Sequence, residues 1–237
     1  MRRFKYTAFF CLGAALLTAA PETGRTLTFG EREFTCPIDG RTFTARVVQS
    51  HSQFGMRLDL RPLGALVAPM PLPVCPGNGF VMYKIEFTEA EVGKLKTIVG
   101  SEAFQQARPG HTDYYMAAFI KERMGAPDYD VAWTYLHASW EAENVKRERL
   151  AEYLALAVSA FDKARPREQQ ETDRWWAAHL VAADLERRLG RFTAVDQRLD
   201  VLPLATLPEQ SPVRLAAQQI RAWNQQRNTE PQEFAAR

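Results

Sequence analysis

The chain has 237 residues, enough for one large domain or two small ones. Apolar residues make up 46% and charged residues 24%, which is typical of a globular protein with a hydrophobic core. A formal net charge of +2 gives no electrostatic reason to expect nucleic acid or an anionic membrane surface as a partner, and three cysteines are too few for a disulfide-rich scaffold.

The first twenty residues have the pattern of a secretory signal peptide. Positively charged residues 1–5 precede an apolar run over 7–17, and Thr18, Ala19 and Ala20 are the small residues of a cleavage site. The run is shorter than the roughly 20 apolar residues of a membrane-spanning helix. Because Pro21 is unfavourable directly after the cut, the alternatives are cleavage after Ala20, an uncleaved segment that anchors the chain to the membrane, or a buried N-terminal helix. We expect export to the periplasm or beyond the cell.

Residues 26–87 are predicted to form a small β region. Alternation of apolar and polar side chains indicates short strands within 27–29, 33–35, 42–48 and 80–87. Between the last two lies a proline-rich stretch, predicted as an extended loop because proline interrupts regular elements; it contains Pro62, Pro69, Pro71 and Pro73.

Two turns of this region have the pattern of half-intact zinc knuckles. They read Cys36-Pro37-Ile38-Asp39-Gly40 and Cys75-Pro76-Gly77-Asn78-Gly79. Each keeps the first Cys, the Pro and the final Gly of a C-P-x-C-G knuckle, and Asp39 or Asn78 replaces the second Cys. Asp and Asn side chains bond to their own backbone in turns, so both bends can persist without metal.

Three arrangements of the two cysteines stay open. A disulfide between Cys36 and Cys75 is the simplest, because thiolates around one zinc lie about 4 Å apart and an oxidising compartment favours pairing. Closing a loop of about 40 residues would contribute roughly 4 kcal/mol. The alternatives are zinc held by Cys36, Asp39, Cys75 and Asn78, in which Asn is a poor ligand, and two unconnected turns. No other cofactor is expected.

The order of these motifs resembles the bacterial domain-of-unknown-function family 2225. A first Cys-Pro turn, Phe43, the Arg57-Leu58-Asp59-Leu60-Arg61-Pro62 segment, a second Cys-Pro turn and helices carry the resemblance over roughly residues 30–165. It implies a zinc-ribbon-like part followed by tetratricopeptide-like helices, and it implies no activity. Members usually have two full knuckles, so Asp39 and Asn78 depart from the pattern.

From Thr88 the pattern becomes helical. Thr88 and Glu91 have the spacing of a capping box, and apolar residues then recur every three or four positions. Glycine or proline separates the successive helices, which carry Leu95, Phe104, Phe119, Trp140, Leu154, Leu185, Leu199 and Ile220. We predict a helical-hairpin array over 88–228, a disordered tail over 229–237, and therefore an α+β fold.

Few residues of this chain suggest a site. Arg57, Asp59 and Arg61 alternate, which predicts either a solvated row of charges on an extended segment or a polar binding site. Trp175 and Trp176 are adjacent and cannot share one helix face, so one of them is a candidate for lining a groove.

The function expected from the sequence is non-catalytic binding of a protein or peptide partner in the cell envelope, through the concave helical surface. Metal binding at the knuckle residues is the alternative, and a hydrolase with an unrecognised site is the second. The four histidines show no paired spacing on a helix, and no phosphate loop or nucleophile elbow is present.

Overall fold

A computed structural model of the chain describes residues 27–65, 68–165 and 172–235. The predicted signal peptide over 1–20 lies outside the described residues, as does Pro21.

The β region consists of two antiparallel pairs of strands. They are β1 (Leu27–Thr35) with β2 (Thr42–His51), and β3 (Gln53–Met56) with β4 (Pro62–Gly64). The short segments predicted over 27–29 and 33–35 belong to one strand, in which Phe34 lies opposite Phe43. Pro62 is wrongly assigned to a loop, since it begins β4, a position at an edge strand where proline is tolerated.

The strand predicted over 80–87 is wrong. Only a single bridge, between Val74 and Val81, forms there. Three consecutive side chains are buried here, those of Phe80, Val81 and Met82. Both sides of this segment are therefore covered by protein, and neither is exposed to solvent. The apolar run that suggested a strand is a buried loop.

Eight α-helices follow within the described residues and confirm the predicted α+β class with a mainly helical C-terminal part. They are α1 (Glu89–Val99), α2 (Glu102–Ala107), α3 (Asp113–Met124), α4 (Asp128–Val145), α5 (Leu150–Ala164), α6 (Asp173–Arg188), α7 (Phe192–Asp200) and α8 (Pro212–Gln225). The capping box of Thr88 and Glu91 is present at the start of α1. Gly125 and Gly190 follow α3 and α6 with positive φ, the backbone conformation that glycine adopts at helix ends.

Four hydrophobic clusters lie among the described residues. The smallest, between α4 and α5, comprises Ala138, Ala142 and Tyr153. The other three each connect several elements. One lies between α3, α4, α5 and α6 around Leu136, Phe161 and Leu185. A second joins the two Cys turns to α1, α2 and α3 around Phe80 and Phe104. The third lies between α6, α7 and α8 and includes Leu58 of the β region. The β region is thus buried against both ends of the helical part.

The tail predicted to be disordered is held against the β region as far as residue 235. Leu58 N donates to Gln232 O at 2.9 Å, and Phe234 N donates to Met56 O at 2.9 Å. The polar composition of 229–235 favoured disorder, but backbone pairing with β3 does not depend on side-chain polarity. No helix in the described part of the chain is long and apolar enough to cross a membrane.

Candidate functional site

The two Cys turns have matching geometry. We call residues 36–40 the first Cys turn and residues 75–79 the second. In each, the final Gly donates its N–H to the Cys carbonyl, Gly40 at 2.8 Å and Gly79 at 3.1 Å, and has positive φ. Side-chain bonds match too: Asp39 Oδ1 accepts from Arg41 N at 3.1 Å, and Asn78 Oδ1 accepts from Phe80 N at 2.9 Å. The residues at the lost thiolate positions therefore close the bends themselves.

A disulfide and a hydrogen bond join the two Cys turns. Cys36 and Cys75 form the disulfide, with their Cα atoms 5.6 Å apart, and both are buried. Beside it, Asn78 Nδ2 donates to Asp39 Oδ2 at 3.0 Å and lies 3.4 Å from Cys36 Sγ. The four residues considered for zinc do converge, but disulfide sulfurs are not thiolate ligands, so zinc binding at this place requires the reduced chain.

The segment with Arg57, Asp59 and Arg61 is a turn buried under α4 and α6. Arg57 N donates to Arg61 O at 2.8 Å, and Leu60 has a φ of 64°, so the segment is not extended. Arg57 and Asp59 are buried, which rules out a solvated row of charges. The alternating charges alone suggested an exposed row. The pattern could not reveal the acidic and basic partners that bury these side chains, because those partners lie on helices distant in sequence.

Those partners form a closed ion cluster around Asp59 and Glu143. Asp59 Oδ2 accepts from Arg188 Nη1 at 2.8 Å and from Trp140 Nε1 at 3.1 Å. Glu143 accepts from Arg57 at 2.8 and 2.9 Å and from Arg188 at 2.6 Å, and it also pairs with Arg61. Burial raises the pKa of Glu143, but the hydrogen bond and charge of Arg57, with Arg188 and Arg61, lower it overall. Since its groups bind one another, we assign the cluster a structural role.

Trp175 and Trp176 are both buried on α6, with ring centroids 4.8 Å apart. Trp175 lies against His179, with 4.3 Å between ring centroids. Trp176 lines a small apolar groove between α6, α8 and the β3–β4 hairpin. The two neighbours thus occupy different surroundings because α6 is covered on several sides.

A groove lined by aromatic side chains is the strongest candidate for a binding site. It lies between α3, α4 and the loop before α1, and its volume is 330 Å³. We call it the aromatic groove; its lining comprises Leu72, Tyr83, Tyr114, Ala117, Lys121, Asp130, Trp133, Thr134 and His137. Tyr114 and Trp133 meet the His137 ring edge-on, at centroid distances of 5.2 and 6.2 Å. These contacts, and the Tyr114 hydroxyl that donates to Met70 O at 2.8 Å, hold the lining in place.

Lys121 supplies the cation of the aromatic groove. Its Nζ donates to Thr134 Oγ1 at 2.9 Å and lies 5.5 Å from the centre of the Tyr83 ring. Burial lowers the pKa of Lys121, against the opposing charge of Asp130. No carboxylate of the described residues forms an ion pair with it. A half-buried ammonium group with hydrogen-bonding capacity to spare favours an anionic partner.

His137 is the uncharged member of the lining. Burial, and secondly the charge of Lys121, lower its pKa to about 4. The groove therefore presents aromatic surface, the ammonium group of Lys121 and the carboxylate of Asp130.

Sequence reasoning did not find the aromatic groove. Its lining residues come from a loop and two helices, and each has an ordinary place in a helical pattern. The signal that could have indicated it is the spacing of four residues between Trp133 and His137, which puts both rings on one face of α4, with Tyr114 at the start of the preceding helix α3.

Comparisons of the chain with protein-family models, with curated proteins and with solved structures find no match.

Proposed function

We propose that this chain is an exported protein of the cell envelope that binds an extended peptide segment of a protein partner, without catalysis. The observation that carries the proposal is the aromatic groove, with Lys121 at its wall. The signal-peptide pattern at residues 1–20 and the Cys36–Cys75 disulfide support an oxidising, extracytoplasmic compartment.

The lining of the aromatic groove suits a peptide with proline or other apolar side chains. Grooves walled by aromatic rings accept extended, proline-rich segments because these are already ordered before binding and lose little conformational entropy. Tyr114 and Trp133 provide two such walls on neighbouring helices. Their rings are fixed by contacts with His137, so the groove does not have to be ordered by its ligand.

The ammonium group of Lys121 favours a peptide that brings a carboxylate to the groove. A hydrogen bond to a charged group contributes about 1.5–3 kcal/mol. The second groove that shares Tyr83, Lys121 and Asp130 with the first also contains Lys94, which adds a second cation, whereas its Lys84 is paired with Glu91 at 2.6 Å. An acidic residue or a free C-terminus within a proline-containing segment fits this combination.

The proposal is tested by selecting peptides from a displayed random library on the oxidised full-length protein. Fluorescein-labelled copies of the enriched sequences are then titrated by fluorescence polarisation. We expect enrichment of proline or aromatic residues beside an acidic group, with Kd values in the micromolar range. Trp133→Ala and Lys121→Gln should each weaken binding about tenfold or more, which corresponds to about 1.4 kcal/mol.

Trp223→Ala is the matched control. Trp223 is a half-buried tryptophan at the edge of another hydrophobic cluster, as Trp133 is, and lies outside the aromatic groove. Its replacement should leave peptide affinity unchanged. Enriched peptides that bind the Trp133→Ala variant as tightly as the native protein would place recognition elsewhere and overturn the assignment of the groove.

A further inference from the structure

The C-terminal tail pairs with the chain at the end of β3 through a single antiparallel bridge. Glu233 lies opposite Arg57 in an antiparallel bridge, flanked by the bonds of Leu58 N to Gln232 O and of Phe234 N to Met56 O. The other edge of β3 pairs with β4. The tail therefore covers a strand edge that would otherwise present unpaired backbone groups.

The same tail places one aromatic ring in an apolar groove. Phe234 lines it together with Met56, Leu58, Leu60, Trp176, Leu180 and Val213, and we call it the tail groove. A volume of 210 Å³ stays open beside the ring. Met56 is 37% exposed and Leu60 is 38% exposed at its rim. The ring therefore fills only part of the apolar space.

The tail is firmly attached at its base and lightly attached beyond it. At the base, the buried guanidinium of Arg187 donates to Asn228 O and, at 3.0 Å, to Glu230 O, and it is paired with Asp184 at 2.7 Å. Beyond Pro231, the tail is held by two backbone hydrogen bonds, to Met56 and Leu58, and by exposed hydrogen bonds between Gln219 and Ala235, at 2.6 and 3.0 Å. Residues 232–235 can thus lift off while the base stays in place.

From this arrangement we propose that the β3 edge and the tail groove form a second peptide-binding site, which the chain's own tail covers in the isolated protein. The partner is an extended peptide that pairs with Met56 and Leu58 through its backbone and inserts a large aromatic side chain. Strand addition to a sheet edge is a general mode of peptide recognition, and the tail shows the register that this edge accepts. A side chain larger than Phe fills the open volume, so a peptide that carries one is expected to bind the groove more tightly than the chain's own tail. The site is distinct from the aromatic groove and does not depend on it.

The experiment uses the oxidised full-length protein and three labelled peptides. One has the tail sequence Asn-Thr-Glu-Pro-Gln-Glu-Phe-Ala, the second has Trp in place of Phe, and the third has Asp there. The variant Phe234→Asp removes the ring that seats the tail. Val201→Asp, on a side chain that is 70% exposed at the end of α7, is the control for introducing a carboxylate.

We expect the Trp peptide to bind more tightly than the Phe peptide, and the Asp peptide not to bind. Phe234→Asp should bind the Trp peptide at least tenfold more tightly than the native protein, and Val201→Asp should match the native protein. A tenfold gain means that the tail covers the site in about nine molecules of ten. Hydrogen exchange of the Leu58 amide should accelerate in Phe234→Asp and slow again when the peptide is added.

Equal affinity of the native protein and a folded Phe234→Asp for the Trp peptide, or binding of the Asp peptide, would overturn the proposal. If Phe234→Asp does not fold, Gln219→Ala replaces it, because this substitution loosens only the exposed end of the tail. Gln219→Ala should then bind the Trp peptide at least threefold more tightly than the native protein does. Unchanged affinity would overturn the proposal.

Discussion

At the residue scale, Asp39 and Asn78 stand where a zinc knuckle has its second thiolate, and they stabilise the two turns in its place. Each closes its own bend through a bond to the backbone two residues on, and together they connect the bends through the bond from Asn78 Nδ2 to Asp39 Oδ2. A zinc ion would join the same two turns with four bonds. Here one disulfide and one side-chain hydrogen bond make that connection.

Asn78→Asp tests the hydrogen bond between the turns. The new side chain can still accept from Phe80 N, but a second carboxylate would face Asp39 Oδ2, now 3.0 Å from Nδ2. Because Asp39 is partly exposed, solvent screens the repulsion, and we expect a loss of about 1–2 kcal/mol in the free energy of unfolding at pH 7. The loss should shrink in about 1 M salt, which screens the remaining repulsion. Urea unfolding of native and variant protein at low and at high salt measures it; an equal loss in both would contradict the electrostatic explanation.

His137 and His179 predict that stability falls with acidification. Burial lowers the pKa of both to about 4, whereas an unfolded histidine titrates near 6.5. Between these values the unfolded chain binds more protons, so the free energy of unfolding decreases as pH falls from about 6.5 towards 4. We expect a loss of about 1–2 kcal/mol per histidine between pH 7 and pH 5. His137→Gln should remove about half of the pH dependence contributed by the pair, and an unchanged slope would contradict this assignment.

At the scale of elements, the sequence predicted what is determined locally. Helix boundaries followed from Thr88, Gly125 and Gly190 because caps and breaks act on neighbouring residues. The turn over 57–61 was missed because its conformation depends on Glu143 and Arg188, which are distant in sequence. The aromatic groove was missed for the same reason: side chains of separate elements become one surface only when those elements pack.

Asp59→Asn should strongly weaken the attachment of this turn to α4 and α6. The substitution keeps the shape but removes the charge that compensates buried Arg57 and Arg188. Loss of one partner from a buried ion pair costs about 3–5 kcal/mol, and we expect that decrease in the free energy of unfolding in urea. Asp200→Asn is the control, since Asp200 pairs with Arg221 at the surface and should contribute less than about 1 kcal/mol. Similar losses in the two variants would show that the cluster gains nothing from burial.

At the scale of the whole molecule, the disulfide secures the thinnest part of the fold. The sheets of the β region, as far as its residues are described, are two-stranded, and Cys36 and Cys75 lie in its cluster with α1–α3. Two-stranded sheets have little stability of their own, so the region depends on cross-links and on the helices.

Removing the disulfide by Cys36→Ala with Cys75→Ala should cost about 4 kcal/mol, from the entropy of closing a loop with a sequence separation of 39. For a chain of this size we expect Tm to fall by about 8–16 °C. Calorimetry measures the shift, and the intact mass of the native protein should lie two hydrogen atoms below that of the reduced chain. Free thiols with one bound zinc per chain would contradict the disulfide and make Asp39 and Asn78 metal ligands.

The bond between Asp59 and Arg188 has a consequence for the order of synthesis. The two residues are 129 positions apart, and the tail that pairs with Arg57 is later still. The ribosome releases the N-terminal third of the chain long before the residues that neutralise its buried charges and cover its open strand edge exist. Until then this part is exposed to wrong pairing, as regions with distant contacts generally are. A chaperone that keeps the emerging chain unfolded until its last residues are made would protect this protein at its most vulnerable stage.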